Sequence, residues 1–188
     1  MLRFKSVAIA LGALGLFVGC AMSADNGSSS KQNMADMAGA MANVMPSKAA
    51  ATQPSNKNVT GTVTFTQDGN DVKVVADITG LSPGKHGFHI HEKADLSDPQ
   101  LKSVGGHWDM GKHKHGGPDS PEHHAGDLGN LTADDMGKAH MEGKLMGVKL
   151  TDLEGKSVVV HASEDDLKTD PAGNSGGRVA GGAIEIKK

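Results

Sequence analysis

The chain has 188 residues, enough for one ordinary domain and an extension. A formal net charge of −3 offers no electrostatic case for a nucleic-acid partner, which favours a basic face. Glycine numbers 26, about twice the usual fraction, while aromatics are 3% and tyrosine is absent. That balance excludes a helical bundle and fits a loop-rich β protein.

The first residues, MLRFKSVAIALGALGLFVGC, have the form of an export signal: Arg3 and Lys5 precede an apolar run from Val7 to Val18. The run is too short for the roughly 20 residues of a membrane-spanning helix. Gly19 precedes Cys20, the single cysteine, and FVGC resembles a bacterial lipoprotein box. The resemblance implies a signal peptide over 1–19, cleavage before Cys20 and lipid attachment there, with the protein held at a membrane surface, periplasmic or on the cell surface. Ala21 stands where an aspartate is associated with inner-membrane retention. With one cysteine, an internal disulfide plays no part in the mature fold.

Residues 20–56 read as the lipidated cysteine and a tether rich in Met, Ala and Ser. Within it, QNMADMAGAMANVM sets Met34, Met37, Met41 and Met45 on one face of an expected helix, with Ser29 and Gln32 as a capping box and Pro46 as its stop. A domain over 57–188 follows, where the period becomes two. VTGTVTFT and DVKVVADI flank a Gln67–Asn70 turn, and HGFHIHE, AHMEGKLMGVKL, SVVVHA and GGAIEIK are further strands. The largest connections run from about 93 to 138 and from 163 to 178. The expected fold is all-β, a Greek-key sandwich or barrel of immunoglobulin-like type with its chemistry on two long loops.

His89 and His91 are two apart on an expected strand, so both rings leave one face while Ile90 leaves the other. His161 ends the apolar run SVVV, and His107 lies in GGHW. Residues 113–127, HKHGGPDSPEHHAGD, add His113, His115, His123, His124 and Asp127. Each alone has an ordinary explanation, a polar strand face or a satisfied core histidine. Together they form a candidate metal centre.

HGFHIHE, GGHW, KHGGP, HHAGDLGN, VVVHASEDD and GNSGGR, in this order and spacing, resemble the copper/zinc superoxide dismutases. The resemblance implies one copper and one zinc per chain. Copper falls to His89, His91, His161 and His107, and zinc to His107, His115, His124 and Asp127, with the His107 ring shared between them. It implies that Asp165 links a copper histidine to a zinc histidine, that His86 braces the site, and that Arg178 docks a small anion. His107 and Arg178 are then the catalytic residues: superoxide is converted to dioxygen and hydrogen peroxide, and His107 carries a proton. Lys168 is a candidate for steering the anion; His113, His123 and Asp166 are expected at the surface.

The family's internal disulfide is missing, because Leu101 and Gly181 occupy its two positions. Leu101 is expected to pack against the sheet, with Gly181 leaving it room. A copper or zinc storage or delivery module of the same fold is the alternative function. Superoxide is the only expected partner besides the membrane, and a monomer and a homodimer are both compatible with the sequence.

Overall fold

The computed structural model describes residues 39–50 and 58–187. Eight strands are present there: β1 (Gly39–Pro46), β2 (Thr60–Asp68), β3 (Asp71–Thr79), β4 (Gly84–His91), β5 (Asp127–Ala133), β6 (Ala139–Leu145), β7 (Ser157–His161) and β8 (Arg178–Ile186). Only short 3-10 turns, such as Lys102–Val104 and Leu150–Leu153, interrupt the loops between them. The strands form one antiparallel sheet in the order β5-β4-β7-β8-β1-β2-β3-β6. Its two ends, β5 and β6, are consecutive in the chain. They are joined by a turn in which Asp134 N–H donates to the Lys138 carbonyl at 2.9 Å. The ends therefore come together, and the sheet closes into a Greek-key β-barrel.

Alternation along each strand puts the apolar residues inside. Val63 and Phe65 of β2, Val72, Val74, Ala76 and Ile78 of β3, and Val158 and Val160 of β7 share one core with Phe88 and Ile90 of β4. A second, smaller cluster lies apart from it. Leu101, Val104 and Val159 are buried there, with Leu96 packed against them. Because Val159 alternates with Val158 and Val160, this cluster lies on the other face of β7, under the loop that leaves β4.

Strand β1 corrects two expectations. The segment read as the end of a methionine-striped helix is extended from Gly39 to Pro46, while Met34 and Met37 lie outside the described residues, as does Cys20. Ala40, Ala42 and Val44 are buried and alternate with Met41, Asn43 and Met45. Open partners on both sides decide the outcome: β1 pairs with β2 through Gly39↔Thr66 to Val44↔Gly61, and with β8 through Ala40↔Ile186 to Pro46↔Ala180. Two ladders of hydrogen bonds and a period-two core face outweigh local helix propensity. The barrel therefore includes residues assigned to the tether, and the described residues all fall within one compact unit, Asn33–Lys188. The third correction concerns the long connection from 93: Asp127–Ala133, expected within it, is β5, paired to β4 from His89↔Asp127 to Gly84↔Ala133.

Candidate metal centre

Strand β4 carries the first two rings. His89 and His91 are fully buried on the face opposite Ile90, which is in the core. The register of β4 with β7 and β5 sets His89 beside Val159 and Asp127. The loop after β4 doubles back so that His107 forms an isolated bridge with His91. Trp108 N–H then donates to the Ile90 carbonyl and Gly126 N–H to the Trp108 carbonyl, both at 2.8 Å. Gly126 is required there: a Cβ would stand 2.3 Å from the Ile90 carbonyl oxygen. His161 arrives at the end of β7, next to Arg178 at the start of β8.

The structure brings the expected residues into two overlapping groups, each with its ligand atoms within 4.8 Å of one another. One is His89, His91, His107 and His161; the other is His107, His115, His124 and Asp127. His107 belongs to both. His113 and His123 belong to neither. His113 is exposed and bonded to Asp109 at 2.7 Å. His123 departs from the expectation of a surface position: it is half-buried, because its Nδ1–H donates to the His124 carbonyl at 2.8 Å.

Four of the rings are each held by an acceptor outside their own group. His89 Nε2–H donates to Asp165 Oδ2 at 2.8 Å, which leaves Nδ1 bare. His91 Nδ1–H donates to the Gly105 carbonyl at 3.1 Å and His161 Nδ1–H to the Gly176 carbonyl at 3.2 Å, leaving both Nε2 atoms bare. His115 Nε2–H donates to Asp165 Oδ1 at 2.9 Å, and its Nδ1 faces Asp127 Oδ2 at 3.0 Å. The bare atoms of His89, His91 and His161, with His107 Nε2, are buried nitrogens of one group that meet no hydrogen-bond partner. A single buried, unsatisfied polar atom costs about 1–3 kcal/mol, so four converging ones call for something that takes lone pairs. A metal cation does. Four imidazoles suit copper, and three imidazoles with one carboxylate suit zinc.

On the carboxylate side, His107 Nδ1 lies 2.7 Å from Asp127 Oδ1, His115 Nδ1 lies 3.0 Å from Oδ2 and His124 Nδ1 lies 3.3 Å from Oδ2. Two ligands each about 2.0 Å from a tetrahedral ion stand about 3.3 Å apart, so the packing has the scale of a zinc shell. Asp127 Oδ2 also accepts the backbone N–H of Gly116 at 3.1 Å and of His124 at 2.9 Å, which orients the carboxylate.

Burial shapes the protonation of these groups. It lowers His89 to about 4 and, with the charges of His107 and Arg178 beside it, His91 to about 2; His161 is also held well below its usual value. All three rings are therefore neutral and ready to donate lone pairs at pH 7. For His115 burial acts the same way, but the bonds to Asp127 and Asp165 outweigh it and lift the ring to about 9. Burial would raise Asp127 and Asp165; their histidine partners prevail and hold both below the usual carboxylate range.

Asp165 joins the two groups, as expected, through His89 and His115. Its support was not foreseen. Asp165 N–H donates to Asn130 Oδ1 at 2.8 Å, Asn130 Nδ2 donates to the Asp165 carbonyl at 2.9 Å, and Leu167 N–H donates to Asp165 Oδ1 at 2.7 Å. Gly173, at φ +59°, leaves the space: a Cβ there would sit 1.7 Å from Asp165 Oδ1. Asp170 holds the backbone of His115 through an N–H···Oδ1 bond at 2.6 Å. His86 Nδ1–H donates to the His161 carbonyl at 2.8 Å, and its Nε2 lies 2.9 Å from the Ser82 carbonyl.

Arg178 is half-buried, and its guanidinium donates from Nη1 to the Leu101 carbonyl at 2.6 Å and from Nη2 to the Gly105 carbonyl at 2.7 Å. It lines a cleft of about 480 Å³ together with Gly176, Gly177, Gln100 and Lys102. Lys102 is among the cleft residues, whereas Lys168 is exposed and is not. Asp166 is half-buried, bonded to Thr169 and Asn174.

The family model for copper/zinc superoxide dismutase (SODC) matches residues 59–184. The chain belongs to the copper/zinc superoxide dismutase family. Among its relatives, the extracellular superoxide dismutase [Cu-Zn] of Drosophila melanogaster is 46% identical over 146 residues, which cover 72% of this chain and 80% of that protein. The extracellular superoxide dismutase [Cu-Zn] of Brugia pahangi is 39% identical over 149 residues, covering 73% and 74%. A crystal structure described as that of the clock protein EA4 superposes with a TM-score of 0.68 at 35% identity, covering 80% of this chain and 96% of the other. The family uses copper and zinc, which agrees with the two donor sets.

Proposed function

We propose that this chain is an exported superoxide dismutase. His89, His91, His161 and His107 hold copper, His107, His115, His124 and Asp127 hold zinc, and Arg178 docks the substrate anion. The observation that carries this reading is the set of four buried nitrogens left without partners in one group, three of them on rings whose other nitrogen is tied to an acceptor outside it. Copper, when bound, would relay the electron that one superoxide anion gives to another, and zinc would supply a fixed positive charge. Two superoxide anions and two protons become one dioxygen and one hydrogen peroxide.

The chain's own residues do the rest. The Arg178 guanidinium stays charged at any working pH and presents planar donors to a small anion. Lys102 lines the same cleft, which supports a local positive field beside Arg178 in a chain of net negative charge. His107 Nε2, which meets no hydrogen-bond partner, would carry the proton for the product only when that nitrogen is not given to copper. Asp165 orients the His89 and His115 rings so that their Nδ1 atoms point into the two groups. The signal-like segment before Cys20 and the extracellular relatives support export; lipid attachment at Cys20 and protection of the cell envelope are part of the same reading.

The test is superoxide turnover by protein loaded with one copper and one zinc. Near-diffusional turnover is expected, with kcat/KM reduced about tenfold or more in Arg178→Ala, the scale of a lost charged hydrogen bond. Full metal loading without turnover would instead identify a copper or zinc carrier. In cell fractions the wild type should sediment with membranes and Cys20→Ser should not.

A further inference from the structure

We infer that Leu101, seated on Gly181, is a positioning residue for Arg178. The inference rests on the reading of Arg178 as the anion-docking group. The guanidinium bonds to the carbonyls of Leu101 and Gly105, both in the loop between β4 and His107, so its place is inherited from that loop. What holds the loop therefore aims the arginine.

The loop is held without a covalent link. Leu101 is 4% exposed and forms the outer cluster with Val104, Val159 and Leu96. It reaches the sheet because β8 has no side chain at Gly181: a Cβ there would lie 3.1 Å from Leu101 Cδ1 and 3.1 Å from the Val158 carbonyl oxygen. Leu101 itself sits at φ +56°, a region that a branched side chain enters only when its surroundings dictate it. Its N–H donates to the Asp98 carbonyl at 2.9 Å, and Asp98 Oδ1 accepts the N–H groups of Gln100 at 2.8 Å and Lys102 at 3.0 Å. From the other side, the segment after β1 ties the loop to the arginine's own strand. Ser47 N–H donates to the Val179 carbonyl at 2.8 Å, and Ala49 N–H to the Pro99 carbonyl at 2.9 Å.

Two carbonyls that stand where a buried leucine holds them make an adjustable mount. Shrinking the leucine, or filling the space beneath it, moves the carbonyls and loosens the guanidinium. The metal groups have further supports at Asp165, Asn130 and Gly176, but His91 shares the Gly105 carbonyl with Arg178, so metal content is counted for every variant and azide affinity is compared only between fully loaded proteins.

The experiment titrates azide, a small anion, into protein carrying copper and zinc, followed by the visible absorption of copper, with metals counted per chain. Arg178→Ala should weaken azide about tenfold. Leu101→Ala and Gly181→Ala should each weaken it about threefold or more, while Leu101→Met stays near wild type. In the Arg178→Ala background Leu101→Ala should add nothing, the non-additivity of residues acting through one another. Wild-type azide affinity in fully loaded Leu101→Ala overturns the inference, as does an equal loss with and without Arg178. If Leu101→Ala fails to fold, Gly181→Ala decides by the same criteria. An Arg178→Ala protein with unchanged azide affinity removes the docking role itself and the inference with it.

Discussion

Replacing Asp165 with asparagine should separate the two metals. The carboxylate makes three bonds at its oxygens: Oδ1 accepts from His115 Nε2 at 2.9 Å and from Leu167 N–H at 2.7 Å, and Oδ2 accepts from His89 Nε2 alone at 2.8 Å. An asparagine has one acceptor oxygen. It keeps the larger number of bonds by leaving that oxygen at the Oδ1 place and turning its amide NH2 toward His89. Two donors cannot face each other, so His89 must move its proton to Nδ1, the atom that belongs to the copper group. The His115 tautomer is kept. A buried hydrogen bond to a charged group contributes about 1.5–3 kcal/mol, which converts to roughly 10–100-fold in copper affinity. Zinc affinity should change by a few-fold at most. Competition against chelators of graded affinity, run for copper on zinc-loaded protein and for zinc on metal-free protein, measures both. A loss of zinc affinity equal to or greater than that of copper would refute the tautomer argument.

Two further outcomes follow from the same geometry. His115→Ala should lower zinc content by removing a buried ligand, whereas His113→Ala, which changes an exposed ring bonded only to Asp109, should leave it intact; elemental analysis of the purified variants distinguishes them. The metal-free protein should also melt at lower temperature on both sides of a pH maximum. His89, lowered to about 4, binds its proton later than the unfolded chain does, so its stabilising effect is present above about 6.5 and is lost as pH falls toward 4, on the order of 3 kcal/mol. His115, raised to about 9, acts in the opposite sense: its contribution is whole below about 6.5 and is lost as pH rises through 9. Melting temperatures that stay level from pH 6.5 down to 4.5 would contradict the buried neutral state of His89.

The residues of the two histidine groups were legible because spacing on a strand translates into direction. HIH placed two rings on one face, and the ordered set of histidine motifs placed the others. What stayed hidden has a physical cause in each case. The β1 residues Ala40, Ala42 and Val44 are small, and Met41 and Met45 between them mimic a helical stripe, so two partner strands had to decide the conformation. Strand β5 reads DLGNLTA, a composition of turns, and is a strand because β4 lies beside it. Asn130 supports Asp165 across 35 residues and Asp170 supports His115 across 55, distances at which no local pattern survives. The holders of Arg178 are main-chain carbonyls, which every residue carries and no side-chain pattern reveals. Leu101 over Gly181, by contrast, was anticipated from the missing cysteines.

Strand β1 also determines where this chain can be cut. Composition places the start of the folded part near residue 57, and a fragment begun there would lack the strand that lies between β8 and β2. Removing it opens the cylinder along its length and bares the backbone N–H and C=O groups of two long neighbours, Thr60–Asp68 and Arg178–Ile186. Such edges pair readily with other chains. A shortened protein of this kind would be expected to aggregate or to exchange strands between copies, however well its histidines were preserved, and Arg178 would sit at the frayed seam.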